Sequence, residues 1–267
     1  MLNSKSFLFV TIDSCRYDTF CSVNLKNINK VGPIHESKSP SHFTFGSHSA
    51  MFMGFTPGMT ELEQPYLNPK FGKIFKLINA GFEGKGTEFL TLTGRNIIDG
   101  LNKLGYITIG SGAVGWFDPN TETGNVLGKD FQHFYFPGNS HSLEKQLAFI
   151  STKIQEYSTK PLFVFLNIGE THVPYYYSNA PWDKDYNPCI PFGTKNDASI
   201  CRERQTKCLE FIDEKLGPIL DQFAHASTLI CSDHGDCWGE DNLWEHGISH
   251  EKVLTVPLVI RLNSKSI

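Results

Sequence analysis

The sequence predicts an α/β fold, a mostly parallel sheet with helices on both faces. Three observations predict it. Apolar runs of strand length alternate with helix-period segments along the chain. Those runs are nearly continuous in apolar character, as strands covered on both faces are. The 267 residues, 40% hydrophobic and 19% charged, suffice for one sizeable core, so residues 1–267 are expected to form a single domain.

Taken in order, Phe7–Ile12 (FLFVTI) is expected as the first strand. Phe71–Ala80 reads as a helix, and Asn96–Leu104 as a second helix leading into the strand Tyr106–Gly110. The helix Ser142–Tyr157 precedes the strand Leu162–Asn167. Cys201–Phe223 is the longest helical segment. Cys201 and Cys208, seven apart, fall on one of its faces, and no zinc or disulfide role is expected for them. Strands Thr228–Cys231 and Val256–Leu262 close the pattern. Two stretches read as loops: Lys26 to Phe43, and Val173 to Asn196, which holds four of the 14 Pro and suits a substrate-facing insert.

A net charge of −4 with no basic cluster excludes a nucleic-acid footprint. The N-terminal apolar run spans only about five residues, too short for a secretory signal. No run approaches the roughly 20 apolar residues that span a bilayer, so no membrane partner is expected. The seven Cys form no CxxC and are read as free thiols. Together these features predict a cytoplasmic protein.

Three apolar runs end in metal-ligand residue types. The first ends at Asp13, the second at Glu170 and His172, the third at Asp233, His234 and Asp236. Alone, each Asp is more often a cap or turn residue. In a parallel sheet all three endings point at one rim, where ligands bind. Carboxylate and imidazole donors suit Zn²⁺ or Mn²⁺, one ion or two. Thr44 precedes a compact helix-like segment, Phe45–Met53. A divalent cation would activate its hydroxyl, and the helix N-terminus would receive an anion. Thr44 also reads as a plain N-cap with Ser47 three residues on, and the two readings are compatible.

Five motifs in order resemble the alkaline phosphatase superfamily, in its sulfatase and phosphodiesterase branch. FLFVTIDSCRYD resembles the opening strand with its Asp-x-x-Arg-x-Asp. TFGSHSAMFMGFTP resembles the nucleophile segment, with Thr44 ten residues before the Gly-x-x-Pro turn at Gly54. NIIDGLNKLGYITIGSG, GETHVPYY and SDHGDCWGEDNLWEHGISHEKVLTVPLVIR resemble the three later elements. The resemblance implies Asp13, Thr44, Asp233 and His234 as metal ligands and Thr44 as nucleophile. It implies His172 and His246 as catalytic groups on the transferred group's oxygens or the leaving group. A second metal or substrate contact would draw on Glu170, His172, His246, His48 and Arg16, although Arg16 equally reads as a structural ion-pair partner. Asp236 reads as a turn residue or a partner for a ligand His, and the Tyr175–Tyr177 run as packing or pocket lining.

The departures also carry meaning. Thr44 stands where sulfatases of this branch carry the Cys or Ser matured to formylglycine, and His48 where they carry Arg. The Lys after the Gly-Tyr-x-Thr strand is absent, with Gly110-Ser111-Gly112 in its place. The resemblance therefore implies a metal-dependent hydrolase or transferase acting on a small anionic phosphate ester, phosphodiester or phosphonate ester. The alternatives are a sulfate-ester hydrolase without formylglycine and a non-catalytic sulfatase-like accessory protein. Only five residues follow Leu262, so the chain reads as a minimal member lacking the usual C-terminal subdomain, or as one completed by a partner in a homodimer.

Overall fold

A computed structural model describes residues 2–54, 75–79, 88–92 and 94–263. A seven-stranded sheet forms its centre. The strands are β1 (Phe7–Ile12), β2 (Ile34–Lys38), β5 (Ile107–Gly112), β6 (His133–Tyr135), β7 (Leu162–Ile168), β8 (Ser227–Ser232) and β11 (Thr255–Arg261). Their order is β2-β11-β8-β1-β7-β5-β6, and β11 alone runs against its neighbours. The expected α/β fold with a mostly parallel sheet is present.

β7 (LFVFLNI) is buried throughout, and its alternation sorts the core into two layers. Leu162, Val164, Leu166 and Ile168 face a layer formed with Leu8, Val10 and Ile12. The helices α5 (Leu143–Glu156) and α6 (Ala198–Gln222) complete that layer. Phe163 and Phe165 face the other way, onto Phe45 and Phe52 of α2 (Thr44–Met53), Ile98 of α3 (Ile97–Lys103) and Leu127 of α4 (Glu122–Gly128). Each such side chain contributes roughly 1.5–3 kcal/mol on burial. The short helix α1 (Tyr17–Ser22) follows β1, and α7 (Glu251–Leu254) leads into β11. A small pair, β9 (Cys237–Trp238) with β10 (Trp244–Glu245), follows β8.

The five expected strands all form, with no end shifted by more than two residues. The helix expected over Phe71–Ala80 does not. Residues 75–79 are β3 (Phe75–Asn79), paired antiparallel with β4 (Glu88–Leu92), and the rest of that span lies outside the described residues. A short apolar run carries no periodicity that separates helix from strand, and the partner segment decided. β2, inside the stretch read as loop, is a polar edge strand paired with β11. Its IHESK sequence lacks an apolar run because one side meets solvent.

α2 begins at Thr44 with Phe43 as its extended N-cap residue, so Thr44 is the first helical residue rather than the cap. Gly54 closes the helix in a left-handed conformation (φ 65°), which glycine adopts without steric penalty. Ser47 Oγ donates to the carbonyl of Asp233 at 2.7 Å and so ties α2 to the end of β8.

Candidate active site

β1, β7 and β8 end level with one another. Ile12 pairs with Ile168 on one side and Ser232 on the other, so the next residues emerge together at one rim. Asp13, Asp233 and His234 are all fully buried there, as is Thr44 at the start of α2. Thr44 Oγ1 lies 3.3 Å from Asp13 Oδ2 and 3.2 Å from His234 Nε2. His234 Nε2 lies 3.8 Å from Asp13 Oδ1 and 3.7 Å from Asp233 Oδ2. The ligand atoms of Asp13, Asp233 and His234 all fall within 4.8 Å of one another, a spacing that one cation can bridge.

Each side chain is aimed by its neighbours. Asp233 Oδ1 accepts the backbone N–H of Ser14 (3.2 Å) and of His234 (3.0 Å), while buried Oδ2 has no hydrogen-bond partner among the described residues. His234 Nδ1 lies 3.1 Å from the carbonyl of Gly235. A carbonyl only accepts, so Nδ1 carries the hydrogen and Nε2 keeps a lone pair toward Thr44. Asn167 Nδ2 donates to Asp13 Oδ2 at 3.3 Å.

The electrostatics are frustrated without a counter-charge. Burial, then the facing Asp13, push the Asp233 carboxyl well above its ordinary range. Burial also works on Asp13, but the imidazoles of His172, His234, His246 and His48 outweigh it and hold its carboxyl low. Burial, then the neighbouring His246, hold His234 well below the usual imidazole range. An orphaned carboxylate oxygen, a second carboxylate and a neutral imidazole lone pair are together a donor set that fits a divalent cation.

A second group joins the first through His234. His246 Nδ1 lies 2.7 Å from Asp236 Oδ1, and its ring centre lies 4.4 Å from that of His234 and 5.1 Å from that of His172. Burial alone would lower His246, but the hydrogen bond and charge of Asp236 outweigh it and push the imidazole up to about 9. The ligand atoms of His234, Asp236 and His246 also lie within 4.8 Å of one another.

Three residues considered for a second metal or substrate contact are engaged by other partners, although His48 Nδ1 still lies 3.7 Å from Asp233 Oδ2. Arg16 is buried in a double ion pair, with Asp18 at 2.6 Å and Glu240 at 2.8 Å, and its guanidinium lies 4.2 Å over Trp238. This is the structural alternative raised for it. His48 is enclosed by Phe52, Phe117 and Phe165. Its Nδ1 meets the carbonyl of Thr44 at 2.8 Å and its Nε2 meets Thr11 Oγ1 at 2.9 Å, so both nitrogens are engaged inside. Burial lowers it to about 4, which keeps it neutral as a brace between α2 and β1.

Glu170 belongs to neither group. Its Oε1 accepts the N–H of Leu143 (2.8 Å) at the start of α5, and burial pushes its carboxyl up to about 8. In the folded chain it keeps a proton that the unfolded chain releases near pH 4.5. Stability therefore declines as pH rises from there to about 8. Glu170→Gln is expected to abolish that decline, with an upper bound of about 1.4 kcal/mol per pH unit. Urea unfolding of both proteins at about pH 5 and about pH 8 checks it, and parallel losses in the two would refute it.

Asp236 and Asn167 carry more of the site than sequence reasoning assigned them. Asn167 had one legible signal, a polar residue inside a wholly apolar strand. Asp236 had only its place two residues after His234.

The Sulfatase family model matches residues 47–266, a span that holds Asp233, His234 and His246. No curated protein sequence matches the chain. Among solved structures it is similar to the C-terminal periplasmic domain of the phosphoethanolamine transferase EptC from Campylobacter jejuni. That likeness has 16% identity, covers 99% of this chain and 81% of that one, and has a TM-score of 0.65. The zinc complex of the EptC periplasmic domain from Escherichia coli gives 12%, 98%, 73% and 0.65. Phosphonate monoester hydrolase from Agrobacterium radiobacter gives 14%, 97%, 68% and 0.62. Two of these neighbours are periplasmic domains, which overturns the cytoplasmic expectation. The thiols that prompted it are free, but six of the seven are buried, and buried thiols are inert in any compartment. The chain belongs to the Sulfatase family and has the alkaline phosphatase superfamily fold that its motifs implied.

Proposed function

We propose that the chain is a metal-dependent enzyme that transfers or hydrolyses a phosphoryl group from a small anionic phosphate ester, phosphodiester or phosphonate ester, with Thr44 as nucleophile. The observation that carries this reading is the position of Thr44 Oγ1, within 3.3 Å of Asp13 Oδ2 and 3.2 Å of His234 Nε2, beside the orphaned Oδ2 of Asp233. Asp13, Asp233 and His234 would hold a divalent cation, with Thr44 completing the set. The zinc complex of the EptC neighbour supports a cation of that charge. Such an ion supplies charge stabilisation at the attacking oxygen and at the transferred group.

The protein's own groups do the rest. The first turn of α2 presents backbone N–H groups and the positive end of its dipole to an anion. Thr44 Oγ1 attacks phosphorus in line and expels one ester oxygen, giving a covalent Thr44 ester of the phosphoryl or phosphonyl group. His246 and His172, whose ring centres lie 5.1 Å apart, would supply the proton that the leaving oxygen needs. Water or an acceptor alcohol then releases the phosphoryl group. The Thr hydroxyl cannot become formylglycine, and the neighbours named as phosphoethanolamine transferase and phosphonate monoester hydrolase agree with phosphoryl chemistry.

The family match itself favours one second reading, a sulfate-ester hydrolase using Thr44 directly. Turnover of p-nitrophenyl phosphate, bis-p-nitrophenyl phosphate, p-nitrophenyl phenylphosphonate and p-nitrophenyl sulfate by the zinc- and manganese-supplemented protein separates the two. Faster turnover of a phosphorus ester is expected. Faster turnover of the sulfate would select the second reading, and no turnover of any would leave the accessory role.

A further inference from the structure

His246 stands at the end of a hydrogen-bonded chain whose polarity is fixed from its far end. Trp238 Nε1–H can only donate. It lies 2.8 Å from the phenol oxygen of Tyr175, which is fully buried. That oxygen accepts from the indole, so its own hydrogen goes to Asp236 Oδ2, 2.7 Å away. Asp236 Oδ1 faces His246 Nδ1, also at 2.7 Å. As a carboxylate, Asp236 accepts at both oxygens, so the hydrogen between it and His246 belongs to Nδ1.

The anchor of this chain is firmly held. Trp238 packs under the ion-paired guanidinium of Arg16. Tyr175 adopts a left-handed backbone (φ 58°), a conformation that persists only where surroundings over-determine it. Trp182 Nε1 donates to the Tyr175 carbonyl at 3.0 Å, and the Tyr175 N–H donates to the carbonyl of His172 at 2.8 Å. One buried tyrosine thus ties together the segments carrying His172 and His246.

We propose that Asp236, oriented by Tyr175 and Trp238, is a positioning residue that keeps a hydrogen on His246 Nδ1 and so leaves Nε2 as the nitrogen that gives and takes the proton of the substrate's ester oxygen. This rests on the phosphoryl-transfer reading above. In the first half-reaction the Thr44 alkoxide forms the Oγ–P bond, the bond from phosphorus to the leaving oxygen breaks, and that oxygen takes the Nε2 proton of a doubly protonated His246, which is left neutral with its hydrogen on Nδ1. In the second, the acceptor oxygen bonds to phosphorus, its proton passes to Nε2, and the Oγ–P bond returns its electron pair to Thr44. The protons and charges balance over the cycle.

The test combines three measurements on the wild-type protein, Asp236→Asn and Tyr175→Phe. Nitrogen-15 spectra of histidine-labelled protein, followed through the deprotonation of His246, should show the neutral ring as the Nδ1–H tautomer in wild type and as a mixture in Asp236→Asn. Turnover of a phenyl phosphodiester, whose leaving group needs a proton, should fall about 100-fold in Asp236→Asn and about 10-fold in Tyr175→Phe. The nitrophenyl analogue, whose leaving group needs little help, should fall less than 10-fold in both. Zinc content should be unchanged. An unaltered tautomer in Asp236→Asn, equal losses on the two esters, or loss of a metal ion would each overturn the proposal, the last by making Asp236 a ligand. The tautomer spectrum needs no substrate, so it decides the relay even if the chain turns over no ester and the functional reading fails.

Discussion

Thr44→Ala is expected to lower turnover of the best phosphorus ester by on the order of 10⁴-fold or more, the scale seen when a catalytic nucleophile is deleted. That corresponds to at least about 5 kcal/mol of transition-state stabilisation at about 1.36 kcal/mol per tenfold. Thr44→Ser keeps a hydroxyl at the first helical position and should retain measurable activity. The comparison matters because Thr44 is fully buried and packs against Asp13 and His234. An Ala there leaves a small void as well as removing the nucleophile, and the void alone predicts a modest stability loss with no special effect on chemistry. Trapping during turnover should place the substrate's phosphorus group on the Thr44 peptide of wild type and on Ser in Thr44→Ser. An alanine protein at full activity, or the trapped group on another residue, would end the assignment.

The second large effect is expected at Asp233, and it has opposite signs in the two metal states. In the metal-free protein its Oδ2 is buried without a hydrogen-bond partner among the described residues and confronts Asp13. Asp233→Asn removes a carboxylate from that confrontation, so the metal-free variant should be at least as stable as wild type. With zinc present the order reverses. Wild type gains about 2.7 kcal/mol when free zinc stands at 100 times its dissociation constant. The Asn variant should lose most of that gain, together with turnover by at least about 100-fold. Thermal melts with zinc and with a chelator read both signs. An equal zinc-induced shift in the two proteins would remove Asp233 from the ligand set.

Much of this site was legible because a parallel sheet imposes order on residues distant in sequence. Asp13 and Asp233 follow apolar runs, and parallel pairing of β1 with β8 brings the ends of those runs level. Thr44 was legible through the resemblance of its segment to the family's nucleophile segment, ten residues before Gly54. His48, Glu170 and Arg16 show where spacing misleads. Each has the residue type of a site group, but His48 turns into an aromatic cage, Glu170 onto the first turn of α5, and Arg16 onto Asp18 and Glu240. A side chain's direction depends on which partner satisfies it, and those partners lie far away along the chain, at Thr11, Leu143 and Glu240.

The sequence by itself determined the fold class, the family and the rim where Asp13, Thr44, Asp233 and His234 meet, because alternation, strand ends and motif order are local properties that survive without coordinates. Only the tertiary structure decided that residues 75–79 pair as a strand, that Glu170, His48 and Arg16 are held by partners other than the two ligand groups, and that Asp236 is linked to His246 and Tyr175. Those outcomes rest on hydrogen bonds and buried charges between segments tens of residues apart. Their energy depends on distance and desolvation, and neither is written in a linear pattern.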